Sequence, residues 1–391
     1  MAMRVPPQAP LLRSLLLLGL VLLGCADRRL WPGELRDTRV YRARPANRGA
    51  EQYSAWFADS DGRVLYFGLS PFWQLWWESG GDALADLREP GDHLIGRFDM
   101  SASRFLPPLR VRGIGADSRA SVWDVLVHSN GRIYYTTFFE ELGWVDPATG
   151  AVQHLEGLGV GLNELVEGPG GSLYITRYSD APRSTASNRS GALLVVTPDG
   201  DLLREKRFER GRGEVTAPKS VAVDPVSGGV WLNADVFHAD GSTGYAILHL
   251  DAEGEIIEWR TDAPELLFAR FDAHGRGYFV EDVDGALRLR VTRAGREQAS
   301  LILGSRAPLD YAQDVHFAAD STAVISFWSG RVDLVRLDGS ELSHRTLWLG
   351  KPSECAPPAG RSLLYSAFLH VDAVYATLSC GPTILATRLA E

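Results

Sequence analysis

Apolar and polar positions alternate with a period of two over short runs from about residue 50 onward. The clearest unit covers residues 124–150, in which an alternating run ends at Asn130-Gly131, a second run follows, and a third ends near Asp146 and Gly150. This alternation predicts half-buried strands joined by tight turns. Outside the first 24 residues no helical spacing extends over 12 or more residues, because Gly or Pro interrupts every longer run.

Equivalent turn residues recur along the chain at intervals of about 40 to 70 residues, which is typical of propeller blades. They are Gly62, Gly131, Gly171, Gly228, Gly275, Asp320 and Asp372. Short amphipathic strands bury their faces only when the units stack, so the pattern predicts an all-β fold. We predict a single β-propeller over residues 50–391, with seven blades of four antiparallel strands. Six blades plus an odd module is the alternative, and residues 37–43 are the candidate strand that closes the ring.

The first 24 residues have the pattern of an export signal. Arg4 and Arg13 precede or flank an apolar run that ends at Leu23, and the segment contains no acidic residue. Residues 22–25, Leu-Leu-Gly-Cys, resemble the bacterial lipobox, in which the Cys is lipidated and becomes the new N-terminus. An ordinary signal peptide followed by an unrelated Cys is the alternative. A transmembrane helix is disfavoured, because the apolar stretch is shorter than the roughly 20 residues that a bilayer needs.

The lipobox resemblance implies a location and an anchor. Residues 1–24 would be the lipoprotein signal peptide, Cys25 the lipidated residue, and residues 25–49 a tether that includes the closing strand. The protein would lie in the bacterial cell envelope, attached to the membrane through its lipid. Ala26, rather than Asp, follows the Cys, which implies the outer membrane if the source has two membranes.

Cys355 and Cys380 are the other two cysteines of the chain. Export makes a disulfide between them the expected state, and two buried free thiols the alternative. A zinc cluster of thiolates is not available with so few cysteines.

Charge and motif content exclude several classes of protein. The formal net charge is −9 and no run of five like charges occurs, which disfavours nucleic-acid binding. The chain has no phosphate-binding Gly-rich loop before a helix, no Gly-x-Ser-x-Gly and no His-Glu-x-x-His.

Three segments resemble the regucalcin/gluconolactonase family and the related virginiamycin B lyase-like propellers. They are residues 130–150, 163–176 and 217–232, with Asn130-Gly-Arg-Ile-Tyr-Tyr, Asn163-Glu-Leu-Val-Glu-Gly and Ala217-Pro-Lys-Ser-Val-Ala-Val-Asp-Pro. The resemblance implies a propeller. In the regucalcin-like enzymes it also implies one divalent cation in the central channel, held by oxygen ligands such as calcium prefers.

The ligand positions of that family do not all carry over. Glu51 is the candidate for the acidic ligand of the first blade, whereas the Asn position falls on Lys219 and the Asp position on Leu267. An ammonium and an isobutyl group cannot replace two oxygen ligands, so the family's metal-dependent lactonase chemistry is expected to be absent. Asn163 matches a substrate-contacting Asn of the family.

Aligning the units on their turn residues predicts two rings of side chains around the channel. The first is Ser54, Trp123, Asn163, Lys219, Leu267, Gln313 and Tyr365, and the second is Ala55, Asp124, Glu164, Ser220, Phe268, Asp314 and Ser366. The candidate ligand-binding residues among them are Asp124, Asn163, Glu164, Lys219, Gln313 and Asp314. Their carboxylates suit a cation, an amine, a sugar-like ligand or acid–base chemistry. Alternatively, Asp at a strand start accepts backbone N–H bonds and shapes the loop.

Two other features have both a functional and a structural interpretation. His316 lies two residues after Asp314 and so on the same strand face. The two residues are either a base with its orienting carboxylate or a simple hydrogen-bonded pair. Phe72, Trp73, Trp76 and Trp77 would stack on sugars, bury into a partner, or pack over the ring.

These observations favour a lipid-anchored propeller that acts as a binding or assembly module for a protein, glycan or small molecule. A metal-dependent lactonase, hydrolase or lyase with a re-sited ion is the alternative. No cofactor is expected in the first case, and a divalent cation such as calcium in the second. The sequence assigns no catalytic residue.

Overall fold

The computed structural model of the chain describes twelve stretches of residues. They are 38–42, 54–70, 93–111, 122–137, 142–159, 161–178, 191–210, 214–261, 265–306, 310–349, 364–379 and 383–389. Within them, 29 strands form seven antiparallel sheets. The chain is therefore a seven-bladed β-propeller, as predicted, and the six-bladed alternative is wrong.

The first four blades follow one another along the chain. Blade 1 contains β2 (Ser54–Ser60), β3 (Val64–Ser70), β4 (His93–Asp99) and β5 (Arg104–Val111). Blade 2 contains β6 (Val122–Val127), β7 (Ile133–Thr137), β8 (Leu142–Val145) and β9 (Val152–Leu155). Blade 3 contains β10 (Leu162–Glu167), β11 (Leu173–Arg177), β12 (Ala192–Val196) and β13 (Leu202–Arg207). Blade 4 contains β15 (Glu214–Val223), β16 (Val230–Phe237), β17 (Thr243–Leu250) and β18 (Ile256–Arg260), with the short β14 (Glu209–Arg210) beside β15.

The last three blades complete the ring. Blade 5 contains β19 (Glu265–Phe271), β20 (Arg276–Val283), β21 (Ala286–Arg293) and β22 (Arg296–Ser305). Blade 6 contains β23 (Ala312–Phe317), β24 (Ala323–Phe327), β25 (Arg331–Asp338) and β26 (Glu341–Trp348). Blade 7 contains β27 (Leu364–His370), β28 (Ala373–Leu378) and β29 (Thr383–Arg388), and its fourth strand is β1 (Thr38–Arg42) from the other end of the chain. β1 pairs antiparallel with β29, with Thr38 opposite Thr387, and it lies within residues 37–43.

The turn residues picked from the sequence all lie in the hairpin between the first and second strands of a blade. Gly131 shows why glycine is common there, since its φ of 85° lies in the left-handed region that costs glycine nothing. In blade 7 the same hairpin places Val371 at a φ of 56°, next to Asp372.

Apolar side chains fill all seven interfaces between neighbouring blades. Between blades 3 and 4, for example, Leu193 packs in one cluster with Leu232 and Leu248. Each fully buried side chain of this size contributes about 1.5–3 kcal/mol, so the stacking of blades supplies the core that no single sheet has. No helix within the described ranges has the length and apolar character to cross a membrane.

Candidate functional site

The seven innermost strands surround the central channel, and every one carries a register irregularity. It lies near the start of the strand except in the longer β15, where it lies in the middle. Such bulges change the direction in which the local side chains point. We call the end of the channel where these strands begin the mouth, and the opposite end, with the first hairpins, the base. In blades 2 to 7 the predicted positions of the first ring coincide with the bulges. The sequence alignment of those six blades is therefore correct to the residue.

Blade 1 corrects the alignment. The irregularity of β2 lies between Ala55 and Ala58, so the bulge residues are Trp56 and Phe57 rather than Ser54 and Ala55. The prediction was two residues too early there, because both bulge residues are aromatic and provide no polar marker.

The carboxylates at the bulges accept backbone N–H groups from the next blade. Asp124 Oδ2 lies 2.9 Å from the nitrogen of Leu165, and Glu164 Oε2 lies 3.1 Å from the nitrogen of Val221. The inner edge of each innermost strand has no strand partner, so its N–H groups need other acceptors. Asp124 Oδ1 also accepts the N–H of Val125 at 2.9 Å. The structural interpretation of these acidic residues therefore accounts for both oxygens of Asp124 and for one oxygen of Glu164.

Asp59 also accepts a backbone N–H group from the next blade, at a position two residues further along its strand toward the base of the channel. Its Oδ2 accepts the N–H of Val127 at 2.8 Å, which ties blade 1 to blade 2. The sequence argument missed Asp59, although it lies two residues after the bulge of β2 and so on the same strand face.

Asp314 is the most heavily bonded carboxylate of the channel. Its Oδ1 accepts the N–H of Val315 at 2.9 Å, and its Oδ2 accepts the hydroxyl of Ser366 at 2.6 Å. His316 Nε2 lies 2.7 Å from the same Oδ2, and its Nδ1 lies 4.0 Å from Asp59. Ser366 in turn accepts the N–H of Ala58 at 3.1 Å, so Asp314 helps to hold the junction where the ring closes.

Arg270, on the innermost strand of blade 5, joins carboxylates of two other blades, and the sequence argument missed it. Its Nη2 donates to Glu164 Oε1 and to Asp314 Oδ1, each at 3.2 Å. Asp59, Arg270 and His316 each lie two residues after a bulge position, so they form a third row that the two predicted rings did not reach. We call Asp59, Asp124, Glu164, Arg270, Asp314 and His316 the channel cluster.

The pKa values of the channel carboxyls are pushed apart. Burial raises the pKa of Glu164 to about 7, although the charge of Arg270 opposes that change. Burial, with the charge of Glu164, raises the pKa of Asp124 well above its usual range. Burial acts on Asp314 too, but the charges of His316 and Arg270 and the bonds they donate outweigh it and lower its pKa to about 2. At neutral pH Asp314 is therefore ionised, and Glu164 is near the midpoint of its titration.

The other predicted site residues lie at the mouth. Asn163 Nδ2 donates to the carbonyl of Lys219 at 2.7 Å, and Lys219 Nζ pairs with Asp235 at 2.8 Å. Gln313 Nε2 donates to the carbonyls of Tyr311 and Ala312 at 3.4 and 3.2 Å. Asn163 and Lys219 thus lie together where blades 3 and 4 meet, and Gln313 lies apart from them on blade 6.

Aromatic rings line the mouth where blades 6, 7, 1 and 2 meet. Trp56 and Tyr365 are buried, and Phe57, Trp123 and Trp328 are half-buried against them. The ring centroids of Trp56 and Trp123 lie 4.5 Å apart, and those of Phe57 and Tyr365 lie 5.2 Å apart. Lys219 and Asp235 face the opposite sector, so the mouth has one aromatic and one polar side.

Several sequence predictions lie outside the described residues. They are the lipidation of Cys25, the disulfide between Cys355 and Cys380, the candidate ligand Glu51, and the aromatic cluster of Phe72, Trp73, Trp76 and Trp77. Among the described residues, no group of three or more His, Cys, Asp or Glu side chains is placed to hold one metal ion.

Comparison with known proteins identifies the fold and no family. No family model matches the chain, and no curated protein sequence matches it. Similar solved structures include a catalytically inactive virginiamycin B lyase from Staphylococcus aureus with quinupristin, with a TM-score of 0.57 and 11% identity over 90% of this chain and 100% of that one. The C-terminal WD40 domain of Sif2 is similar with a TM-score of 0.53 and 10% identity, over 86% of this chain and 95% of that domain. At these identities the likeness shows a propeller fold alone.

Proposed function

We propose that this protein is a lipid-anchored β-propeller of the bacterial cell envelope that acts as a binding or assembly module through the mouth of its channel. The basic and apolar leader and the lipobox-like residues ending at Cys25 support the anchor. Ala26 supports the outer membrane if the source has two membranes. The carrying observation for a non-metal role is Arg270, which bonds Glu164 and Asp314 at the centre of the cluster.

A guanidinium in that position argues against the metal-dependent alternative. Two of the candidate carboxylates already share one protein cation at 3.2 Å, and a metal ion beside it would meet a like charge at short range. Asp124 and Glu164 also use an oxygen on a backbone N–H. The oxygens that a re-sited ion would need are therefore engaged by the protein itself.

Thermal unfolding with added ions tests this step. We expect no change in melting temperature when calcium, magnesium, manganese or zinc replaces chelator. An ion that binds the native state alone would add about 2.7 kcal/mol at a hundredfold excess over its dissociation constant. A rise of that size with one ion, lost in Glu164→Gln, would replace the binding module with the metal-dependent enzyme.

The mouth has the chemistry of a recognition surface. Half-buried aromatic rings, such as Trp123 and Trp328, supply area for a sugar face or an apolar partner side chain. Across the channel, Lys219 and Asp235 keep 39% and 28% of their side-chain exposure and supply charged hydrogen-bonding groups. Aromatic anchors with a polar rim are typical of binding sites for proteins and glycans.

Site-specific photo-cross-linking in intact cells tests the use of the mouth. A cross-linking residue at Gln313 should form a discrete adduct, since Gln313 lies at the mouth on blade 6, at the edge of the aromatic sector. The same residue at Arg293, an exposed position in a hairpin of blade 5 at the base, is the matched control and should form none. Adducts at Arg293 and none at Gln313 would move the binding surface away from the mouth.

A metal-independent acid–base enzyme is the second candidate, and the pKa values in the channel favour it. Glu164, with a pKa of about 7, lies near Asp314, with a pKa of about 2, and pairs separated in this way are common in acid–base sites. His316 bonded to Asp314 adds a base with an orienting carboxylate. Turnover of lactones or esters that persists in chelator and disappears in Glu164→Gln would favour this candidate over the binding module.

A further inference from the structure

A groove opens at the base of the ring between blade 7 and blade 1. Its volume is about 850 Å³. Its lining includes Arg39, Ser101, Ser103, His370 and Arg388, which we call the basal groove. His370 Nε2 lies 3.1 Å from Ser101 Oγ, so the two blades are joined across the floor of the groove.

The lining of the groove carries two arginines, several hydroxyl groups and one carboxylate, that of Asp372. Arg388 keeps 75% of its side-chain exposure, and the carboxylate nearest to it, Asp372, is 4.0 Å away and itself 62% exposed. An exposed pair at this distance contributes little, so Arg388 remains available to an external anion. Arg39 is exposed on β1, and the sequence between Thr38 and Ala50 contains four arginines and no acidic residue.

The hairpin that borders the groove has an unusual tip. Val371 is 85% exposed and has a φ of 56°, a conformation that a β-branched residue adopts only with strain. Five of the other blades have glycine in the corresponding hairpin. An exposed apolar side chain held in a strained turn is a feature that points to function rather than to folding.

The position of the groove relative to the proposed anchor indicates what the groove would bind. β1 begins at Thr38, 13 residues after Cys25, and an extended chain of that length spans at most about 45 Å. Arg39 is the second residue of β1, so the tether joins the ring at the groove. If Cys25 holds the protein at a membrane, the basal groove is the part of the propeller that the tether keeps near the lipid.

We propose that the basal groove and the Val371 hairpin bind the surface of an anionic phospholipid membrane. This inference rests on the proposed lipid anchor. Arg39 and Arg388 bind headgroup phosphates, for which the planar guanidinium is well shaped. Val371 enters the apolar part of the interface. The ring is thereby oriented with its base on the membrane and its mouth toward the compartment.

Vesicle sedimentation tests the proposal with the unlipidated chain from Ala26 onward, which contains every described strand. We expect binding to vesicles that contain phosphatidylglycerol and not to vesicles of phosphatidylcholine alone, weakening as salt is added. Arg39→Glu with Arg388→Glu should lower the affinity by about tenfold or more, since each basic residue near an anionic surface contributes substantially. Val371→Asp should lower it as well.

The control variant, Arg293→Glu with Arg296→Glu, makes the same charge change at the same end of the ring. It alters the hairpin between the third and fourth strands of blade 5. The corresponding position in blade 7 is where β29 ends at Arg388 and β1 begins, next to Arg39. This variant should bind vesicles as the wild type does, and thermal unfolding checks that each variant is folded.

Three outcomes would contradict the proposed membrane-binding surface. Absence of binding to phosphatidylglycerol vesicles, or an equal loss in the blade 5 control, would show that the groove does not act. Displacement of the protein from vesicles by inorganic phosphate at comparable concentration would show a site for a soluble anion instead. The anchor is measured separately, from the mass of the N-terminal fragment in wild type and Cys25→Ser, so its failure is distinguishable from failure of the groove.

Discussion

Replacing Arg270 by Met should destabilise the protein by about 3–5 kcal/mol at pH 8. The substitution leaves Glu164 and Asp314, with Asp124 beside them, buried without the cation that they share. The loss should be smaller at pH 5, because Glu164, whose pKa is about 7, then holds a proton and no longer needs the charge. Denaturant unfolding at the two pH values measures both numbers.

A double substitution separates the charge effect from lost packing. Glu164→Gln combined with Arg270→Met should recover about 1–3 kcal/mol relative to the sum of the two single changes, as expected for residues in one buried network. Arg290→Met is the matched control, because Arg290 bonds Glu281, which keeps Arg288 as a second cation. Its cost should be lower and should change little between the two pH values. An Arg270→Met loss that is equal at pH 5 and pH 8 would contradict the shared-cation account.

The fold was accessible from the sequence because its signals are local. Period-two alternation marks each strand, and turn residues such as Gly131 and Gly275 mark the first hairpin of each blade. These features depend only on neighbouring residues, and the same geometry repeats seven times, so one misassigned unit does not change the architecture. The propeller and its blade count followed from them.

The channel cluster was only partly accessible, for a physical reason. Asp124, Glu164 and Asp314 lie at bulges that turn residues locate, so counting from the turns reached them. Arg270 bonds partners that are 44 and 106 residues away in the sequence, and no local pattern indicates that pairing. In the sequence it looks like any outward charge of a strand.

The same arrangement explains why carboxylates occupy the channel at all. A propeller leaves the innermost edge of every blade without a strand partner, and an acidic side chain from the previous blade satisfies it, as Asp59 does for Val127. Packing several carboxylates around one narrow space raises the pKa values of Asp124 and Glu164 by burial and mutual repulsion, whereas His316 and Arg270 reverse that effect at Asp314. Arg270 limits that repulsion, so the protonation state of the channel cluster affects the stability of the ring.

Glu164→Gln should therefore flatten the dependence of stability on pH between about 4.5 and 7. In the folded protein the pKa of Glu164 is about 7, against an ordinary value of 4.5, so between those values the folded state binds more protons than the unfolded chain. The free energy of unfolding falls as pH rises through this range, and the contribution of Glu164 is about 3 kcal/mol. The amide resembles the protonated carboxyl, so the variant should match the wild type near pH 5 and exceed its stability by about that amount near pH 8.

Glu205→Gln is the control for this experiment. Bonds from Arg177 and Arg207 outweigh the effect of burial and lower the pKa of Glu205, so its ionisation is linked to stability only at pH values below its usual range. That variant should keep the wild-type slope between pH 4.5 and 7. If Glu164→Gln keeps the slope as well, Glu164 ionises in the folded protein as it does in the unfolded chain, and the acid–base candidate loses the shifted pKa on which it depends.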